Sequence, residues 1–230
     1  NKEMKTIVII GGSRGIGLSI AKQQSQNNNV ICLSRTKPDF ESENLQFLTY
    51  NSLTDELPNL DKVDSLIYCP GSIVLKPINR LSLDDFRDDF EINVIGAVKA
   101  IQKYLPLLKK GEQPSILLFS SVAAKLGMPF HASIAASKSA IEGIVKSVGA
   151  ELASKIRINA IAPSITQTDL SANILKNEDT IERIKERHPL KKILQPEEVA
   201  DLADFLISEK ANSISGQTFE LDGGIVTFKI

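Results

Sequence analysis

The order of apolar runs and amphipathic stretches constrains the fold of this chain more than any other feature. Short β-branched runs alternate with helical stretches along all 230 residues. The runs are apolar almost throughout, which is typical of parallel strands that are covered on both faces. The predicted strands are 5–10, 30–34, 46–50, 65–69, 115–119, 156–162 and 217–221. The repeating βαβ order predicts an α/β fold, a doubly wound parallel sheet of about seven strands with helices on both faces.

Helical stretches fill the intervals between these runs. The predicted helices are 15–26, 82–90, 92–108, 132–153, 171–187 and 196–207. The interval 50–65 contains Pro58 and is short for a crossover helix, so a loop or a single turn is predicted there. No internal repeat, low-complexity tract or linker divides the sequence, and a single domain over residues 1–230 is therefore predicted.

Composition excludes several classes of function. The formal net charge of −1 gives no reason to expect a nucleic-acid or anionic-membrane partner. No segment approaches the ~18 consecutive apolar residues of a membrane span, and the first apolar run is too short for a signal peptide. Cys32 and Cys69 lie in apolar runs and match no metal or disulfide spacing, so they are interpreted as buried thiols in a reducing compartment. These features predict a cytoplasmic protein with no bound metal.

The stretch GGSRGIG joins the first predicted strand to the first predicted helix. Gly11 permits a tight turn, Gly15 lets the backbone approach a pyrophosphate, and Gly17 allows the helix to pack close to the strand. The helix N-terminus also favours an anion. A merely tight turn is the alternative, but the position between a strand and a helix favours a dinucleotide site.

The residues after the second strand indicate which dinucleotide is bound. A cofactor without a 2′-phosphate is usually held by an acidic residue at this position. Here the strand ends at Ser34 and Arg35 follows, while Arg14 lies within the glycine turn. Two guanidinium groups suit a phosphate. NADP(H) is therefore predicted to be preferred over NAD(H).

Further motifs follow the glycine turn in a fixed order. They are NVIG at 93–96, SSVAAKLG from Ser120, INAIAPSITQTD from Ile158, and PEEVADLADFLIS followed by ISGQTFELDGG. Together they resemble the short-chain dehydrogenase/reductase family, and closely resemble its ketoacyl-reductase-like members, over nearly the whole chain. Two positions depart from the family pattern: Ile10 stands where threonine is usual, and Ser164 where glycine is usual. The resemblance implies a Rossmann-type, NAD(P)-binding domain.

The resemblance also implies an active site of asparagine, serine, tyrosine and lysine. Asn93, Ser121 and Lys138 match three of these positions, but the tyrosine position, four residues before the lysine, is Ile134. In the family the tyrosine moves the proton, the lysine holds the nicotinamide ribose, and the serine polarises the carbonyl. His131 is a possible substitute donor, or else an ordinary loop histidine. Tyr68 and Lys138 acting through water are further candidates.

Cofactor-binding residues carry over from the same motifs. They are Gly11, Ser13, Arg14, Gly15, Ile16, Gly17, Ser34, Arg35, Gly71, Asn93, Lys138, Pro163, Ile165 and Thr168. Two further departures concern this set. The turn after the fourth strand is Tyr68-Cys69-Pro70-Gly71 instead of Asn-Asn-Ala-Gly, and Ser52 replaces the acid that usually contacts adenine.

A lid over the substrate is implied for residues 165–190, although the charges from 171 to 187 fit a solvated helix face equally well. The predicted cleft rim favours an apolar carbonyl compound and consists of Met128, Phe130, Ile134, Ile165 and Leu170. Small and apolar residues on more than one face of the long helices predict a homodimer or homotetramer. They include Ala97, Ala140, Ile144, Val148 and Ala150.

Two functions remain open on this basis. The first is an NADP-dependent short-chain oxidoreductase of class EC 1.1.1.-, which transfers hydride to or from a small carbonyl or alcohol substrate with an impaired or altered proton donor. The alternative is a catalytically inactive, cofactor-binding protein that acts as a sensor or as a partner subunit. The intact glycine turn argues against a structural subunit that binds no nucleotide.

Overall fold

The computed structural model describes residues 4–229, so residues 1–3 and 230 of the predicted domain lie outside the described residues. Its strands form one parallel sheet in the order β3-β2-β1-β4-β5-β6-β7. The strands are β1 Thr6–Ile10, β2 Asn29–Ser34, β3 Leu45–Thr49, β4 Ser65–Tyr68, β5 Ser115–Phe119, β6 Arg157–Pro163 and β7 Thr218–Leu221. The predicted seven-stranded, doubly wound sheet is confirmed.

Helices cover both faces of this sheet, as predicted. They are α1 Gly15–Gln24, α2 Leu83–Phe90, α3 Gly96–Leu108, α4 Ala132–Leu152, α5 Glu178–Arg187 and α6 Pro196–Ile207. Within residues 4–229, no helix is both long enough and apolar enough to span a bilayer. The predicted loop over 50–65 contains no helix.

The core lies in two layers, one on each face of the sheet. Val8 and Ile10 of β1 belong to the layer that α3 and α4 cover. Ile7 and Ile9 belong to the opposite layer, under α1 and α6. Successive side chains of a strand point to opposite faces, so a strand buried on both sides must be apolar at every position. This explains the continuous apolar runs in the sequence.

The structure corrects three predicted boundaries. The helix predicted over 171–187 begins only at Glu178, because the Asn177 side chain accepts a hydrogen bond of 2.9 Å from the Thr180 N–H and caps the helix there. The helices predicted at 82–90 and 92–108 are joined by a π-helical turn over Glu91–Ile95. Pro163 is the last residue of β6 and does not stop the strand before it.

Cys69 also differs from its prediction. Cys32 is buried, but Cys69 is only partly buried because it follows β4 at the carboxyl edge of the sheet. Burial raises the pKa of both thiols. Both cysteines are free.

Candidate cofactor and substrate cleft

Two adjoining cavities lie at the carboxyl edge of the sheet, where the strand order changes direction between β1 and β4. Parallel α/β sheets bind ligands at such a point. The larger cavity, the cofactor groove, has a volume of about 720 Å³. The second, the substrate cleft, has a volume of about 570 Å³. The residues that line both cavities are Ile16, Cys69, Gly71, Thr168 and Leu170.

The glycine turn forms one end of the cofactor groove. Gly11 and Gly15 have φ angles of +78° and +53°, which favour glycine over other residues. A Cβ atom on Gly17 would lie 2.1 Å from the carbonyl oxygen of Gly11, so only glycine fits there. A Cβ on Gly15 would lie 3.1 Å from the methyl group of Thr168. The turn therefore keeps backbone, and not side chains, at the mouth of the groove where α1 begins.

Basic residues line the same groove beside β2. Arg14 and Arg35 are exposed along it, and Ser34, the last residue of β2, is buried in its wall. The hydroxyl oxygens of Ser13 and Thr36 lie 3.2 Å apart and join the glycine turn to the residues after β2. A basic side chain thus occupies the position after β2, where an acid would select against a 2′-phosphate.

Ser121 and Lys138 line the substrate cleft. Ser121 follows β5, and its hydroxyl accepts a hydrogen bond of 3.1 Å from the Ala123 N–H. Lys138 lies in α4, is buried, and donates a 2.9 Å hydrogen bond to the carbonyl oxygen of Phe119. Burial lowers the pKa of Lys138 to about 8, against the opposing influence of Cys69 and Asp89. This ammonium group is therefore held at the cleft with little solvent around it.

Asn93 lies beneath the two cavities and lines neither of them. It belongs to the π-helical turn, and its Nδ2 donates to the backbone oxygen of Asp89 at 2.7 Å. Its Oδ1 is buried and has no hydrogen-bond partner. A Cβ atom on Gly71 would lie 3.3 Å from this Oδ1 and 3.8 Å from Lys138 Nζ. The absence of a side chain at Gly71 leaves these two polar atoms facing a common space.

The aligned tyrosine position, Ile134, lies one turn before Lys138 on α4 and lines the substrate cleft. It is 4% exposed and has no proton to exchange. His131 lines the cleft as well, at its rim, and its Nδ1 lies 2.7 Å from the Pro129 carbonyl oxygen. Both residues are therefore within the site, but only the histidine carries a titratable group.

Tyr68 lies below the cleft and lines neither cavity. Its hydroxyl donates a 2.7 Å hydrogen bond to the Ile92 carbonyl oxygen. Burial raises the pKa of Tyr68 above its usual range. A Cβ atom on Gly96 would lie only 1.9 Å from this hydroxyl, so the tyrosine is fitted tightly under α3. This geometry assigns Tyr68 to packing and removes it from the candidate proton donors.

The cavities bring together the other predicted site residues. The cofactor groove is lined by Gly11, Ser13, Arg14, Gly15, Ile16, Gly17, Ser34, Arg35, Gly71 and Thr168, together with Ser52. The substrate cleft is lined by Pro163, Ile165 and Thr168, and by the apolar residues Met128, Ile134 and Leu170. Phe130 was predicted for this rim but does not line the cleft; it lines an adjoining outer hollow, where it is 55% exposed.

The segment predicted as a lid borders the substrate cleft. Leu170, Ile174, Ile184 and His188 line the cleft from this side. No residue of α5 is fully buried, so the opposite face of the helix is solvated. One face of this segment thus borders the cleft and the charged face meets solvent, and its role as a lid stays a prediction.

Sequence motifs missed several polar residues at the cleft. His188 is buried, lines the cleft, and has an Nε2 atom without a partner. Ser72 also lines the cleft, and its hydroxyl donates to the buried carboxylate of Asp89. The sequence offered one signal for these residues. Asp89 lies four residues before Asn93, and this spacing places both side chains on the same face of a helix. An acid on the buried face of a helix is uncommon unless it has partners.

Comparison with known proteins agrees with this arrangement. A family profile described as "Enoyl-(Acyl carrier protein) reductase" matches residues 48–226. The chain is 28% identical to a 3-oxoacyl-(acyl-carrier-protein) reductase of Staphylococcus epidermidis, over 96% of this chain and 98% of the relative.

Solved structures give the same result. The aldohexose dehydrogenase of Thermoplasma acidophilum, in ligand-free form, superposes with a TM-score of 0.89 at 25% identity, over 99% of this chain and 96% of the other. ElxO with NADP bound gives a TM-score of 0.89 at 25% identity, over 98% and 100%. The fold, the glycine turn and the matched sequence agree, and the chain belongs to the short-chain dehydrogenase/reductase family of oxidoreductases, as a member similar to the ketoacyl reductases.

Proposed function

We propose that this protein is an NADP(H)-dependent oxidoreductase that interconverts a small, largely apolar carbonyl compound and its alcohol, with a proton donor other than tyrosine. The observation that carries the proposal is that the two cavities adjoin and share five lining residues. The groove with the glycine turn and the arginine pair lies next to the cleft with Ser121 and Lys138.

The residues of the groove fit a dinucleotide with a 2′-phosphate. Gly17 lets the glycine turn pack closely on itself at the start of α1, and Arg14 and Arg35 supply two cationic groups beside β2. Gly71 lines both cavities, and the unpartnered Oδ1 of Asn93 and the ammonium of Lys138 lie close behind it as polar partners. When bound, the nicotinamide would supply or accept the hydride. Ser121 would bind the substrate oxygen, and Lys138 would hold the ribose hydroxyls.

Ile134 requires a different route for the proton. A positioned acid or base contributes roughly 10²–10⁴ in rate, or about 3–5 kcal/mol of barrier. Losing the tyrosine hydroxyl therefore predicts a slowed reductase, because cofactor and carbonyl positioning do not depend on it. His131 is the histidine at the cleft rim that such a route can use.

Two measurements test the proposal. Fluorescence titration should give tighter binding of NADPH than of NADH. A panel of carbonyl substrates should then be assayed with NADPH for the native protein, His131→Ala and Ile134→Tyr. Slow native turnover that increases in Ile134→Tyr supports the proposal, and loss of turnover in His131→Ala identifies that side chain as a donor. Tighter binding of NADH would refute the cofactor assignment.

A second function is favoured by the burial of Ile134. An apolar side chain, 4% exposed, occupies the aligned position of the proton-transferring hydroxyl. The protein would then be a cofactor-binding sensor or partner subunit without turnover. NADPH binding with no native turnover, and turnover appearing only in Ile134→Tyr, would support this function over the first.

We also infer a homodimer or homotetramer in the cytoplasm. Ala140, Ile144 and Val148 of α4 are only partly buried, and Ala150 is exposed, in the single chain. Such a face suits a symmetric interface between two copies. Light scattering after size-exclusion chromatography tests the assembly, and a monomeric mass would refute it.

A further inference from the structure

We propose that Ser72 and Asp89 form a hydroxyl–carboxylate pair that transfers the proton of the substrate oxygen, in place of the missing tyrosine. This inference rests on the proposed oxidoreductase function and assigns its proton route. The pair lies in the described part of the chain beside Asn93, and neither member belongs to a motif found in the sequence.

The hydrogen bonds of Ser72 leave one acceptor position free. Ser72 lines the substrate cleft, and its hydroxyl donates to Asp89 Oδ1. The same oxygen accepts a 3.1 Å hydrogen bond from Asn93 Nδ2. A serine hydroxyl has one proton and two lone pairs, so its proton and one lone pair are already used. The remaining lone pair is available to a hydroxyl group in the cleft.

Asp89 is fully buried and reaches the cleft only through Ser72. Its exposure is 0%, and its second oxygen, Oδ2, accepts a 2.5 Å hydrogen bond from the Ser133 hydroxyl. A buried carboxylate is costly unless charges or hydrogen bonds stabilise it. Two hydroxyl donors and the nearby charge of Lys138 fill that role here. The Asp89 carboxylate thus lies behind the cleft wall and is shielded from water.

The chemistry balances in both directions. In alcohol oxidation, the substrate C–H bond yields a hydride, which oxidised nicotinamide takes as the co-reactant. The substrate O–H bond breaks as its proton passes to Ser72 Oγ, and the original Ser72 proton passes to Asp89 Oδ1. The carbonyl C=O bond forms, and Asp89 becomes a neutral carboxylic acid. Carbonyl reduction is the reverse, with the proton supplied by Asp89 through Ser72.

Of the substitute donors predicted from the sequence, His131 and Tyr68 are less suited to this role. His131 lies at the rim, where it lines the outer hollow as well as the cleft, and its Nδ1 is engaged with the Pro129 carbonyl. The Tyr68 hydroxyl is committed to Ile92. Ser72 combines access to the cleft with direct contact to a buried acid–base group.

A matched pair of serine variants tests the proposal. Ser72 and Ser133 both donate to Asp89, but only Ser72 lines the cleft. Ser72→Ala should lower kcat by about 100-fold or more, within the usual contribution of an acid–base group. Ser133→Ala removes a comparable hydrogen bond and should lower kcat less than about tenfold. Asp89→Asn should match Ser72→Ala if it folds.

The Ile134→Tyr background separates chemistry from structural damage. A tyrosine hydroxyl at position 134 supplies a second proton route, so Ser72→Ala should lose less than about threefold in kcat there. A similar loss in both backgrounds, or equal effects of Ser72→Ala and Ser133→Ala in the native protein, would overturn the proposal. So would a native protein that turns over nothing while Ile134→Tyr is active.

Infrared spectroscopy of the protein alone gives a readout that does not depend on turnover. With ¹³C-labelled aspartate, the carboxylate stretching bands should include a shifted band from Asp89. This band should disappear in Asp89→Asn and move in Ser72→Ala, and its failure to move would refute the contact. NADPH titration of the native protein separates the two proposals, because failure of the native protein to bind NADPH counts against the proposed function and not against the Ser72–Asp89 contact.

Discussion

Replacing Lys138 with methionine is expected to change the pH dependence of stability in a direction that the structure fixes. Burial lowers the pKa of this lysine from 10.5 to about 8 in the folded protein. Between these two values the unfolded chain binds more protons than the folded one, so stability rises with pH. Charging the buried lysine therefore destabilises the native protein most below pH 8, and this effect is lost towards pH 10.5.

The size of the effect follows from the pKa difference. One pKa unit corresponds to about 1.4 kcal/mol, so the lysine destabilises the fold by about 3 kcal/mol at pH 7 and about 1 kcal/mol at pH 10. Lys138→Met abolishes this pH-dependent destabilisation, and methionine has a side chain of similar length. The variant also leaves the Phe119 carbonyl oxygen without its donor, at a cost of about 1–3 kcal/mol that does not vary with pH.

Urea unfolding of both proteins at pH 7, 8, 9 and 10 measures the effect. The free energy of unfolding of Lys138→Met, minus that of the native protein, should fall by about 2 kcal/mol from pH 7 to pH 10. Lys146→Met, on the exposed side of the same helix, controls for general effects of high pH. If the difference in free energy of unfolding between Lys138→Met and the native protein stays constant from pH 7 to pH 10, burial does not lower the pKa of the lysine. That result would refute the reasoning.

Three further substitutions have defined outcomes. Arg35→Ala should weaken NADPH binding about tenfold in a fluorescence titration and leave NADH binding nearly unchanged, because it removes one charged partner of the 2′-phosphate. Gly17→Ala should lower the free energy of unfolding by about 1–3 kcal/mol and abolish NADPH binding, because its Cβ would lie 2.1 Å from the Gly11 carbonyl oxygen. Asn177→Ala should destabilise α5 by about 1 kcal/mol, which hydrogen exchange of its amides measures.

The sheet was predictable from sequence because burial on both faces leaves a strong pattern. Every residue of β1 is buried, and the run Thr6–Ile10 reads as β-branched throughout. Ala132–Leu152 was likewise placed within one residue at each end. In both elements the apolar residues from which the element was predicted are also the residues that pack in the core. The local sequence pattern and the tertiary packing therefore agree.

The start of α5 was not predictable in the same way. Charged residues are spread over 171–187, and the helix boundary depends on one hydrogen bond, which the Asn177 side chain accepts from the Thr180 N–H. Residues 171–175 instead make turns, in which Ile174 and Leu175 donate to the Ser171 carbonyl oxygen. A capping hydrogen bond joins residues only three positions apart. The spacing of apolar residues along the chain does not report such a local contact, so it does not locate the start of the helix.

The candidate site was predictable where a motif is local and was missed where contacts are distant in sequence. The glycine turn lies within seven residues, and its conformation follows from the absence of side chains. Ser72, Asp89 and Ser133 span three elements, and only the fold brings their hydroxyl and carboxylate groups into contact. No spacing rule links residues 44 positions apart.

The polar atoms around Gly71 also bear on whether the groove binds a ligand at this position. Lys138 is buried at a cost of about 3 kcal/mol in a protein whose total stability is typically about 5–15 kcal/mol. Asn93 Oδ1 is buried without a partner, and Asp89 is a fully buried acid. A ligand that supplies a hydrogen bond to Asn93 Oδ1 and accepts one from Lys138 would offset these costs. We therefore expect saturating NADPH to raise Tm more for the native protein than for Lys138→Met, whose stability needs no such partner, and equal increases would argue that the groove binds its ligand elsewhere.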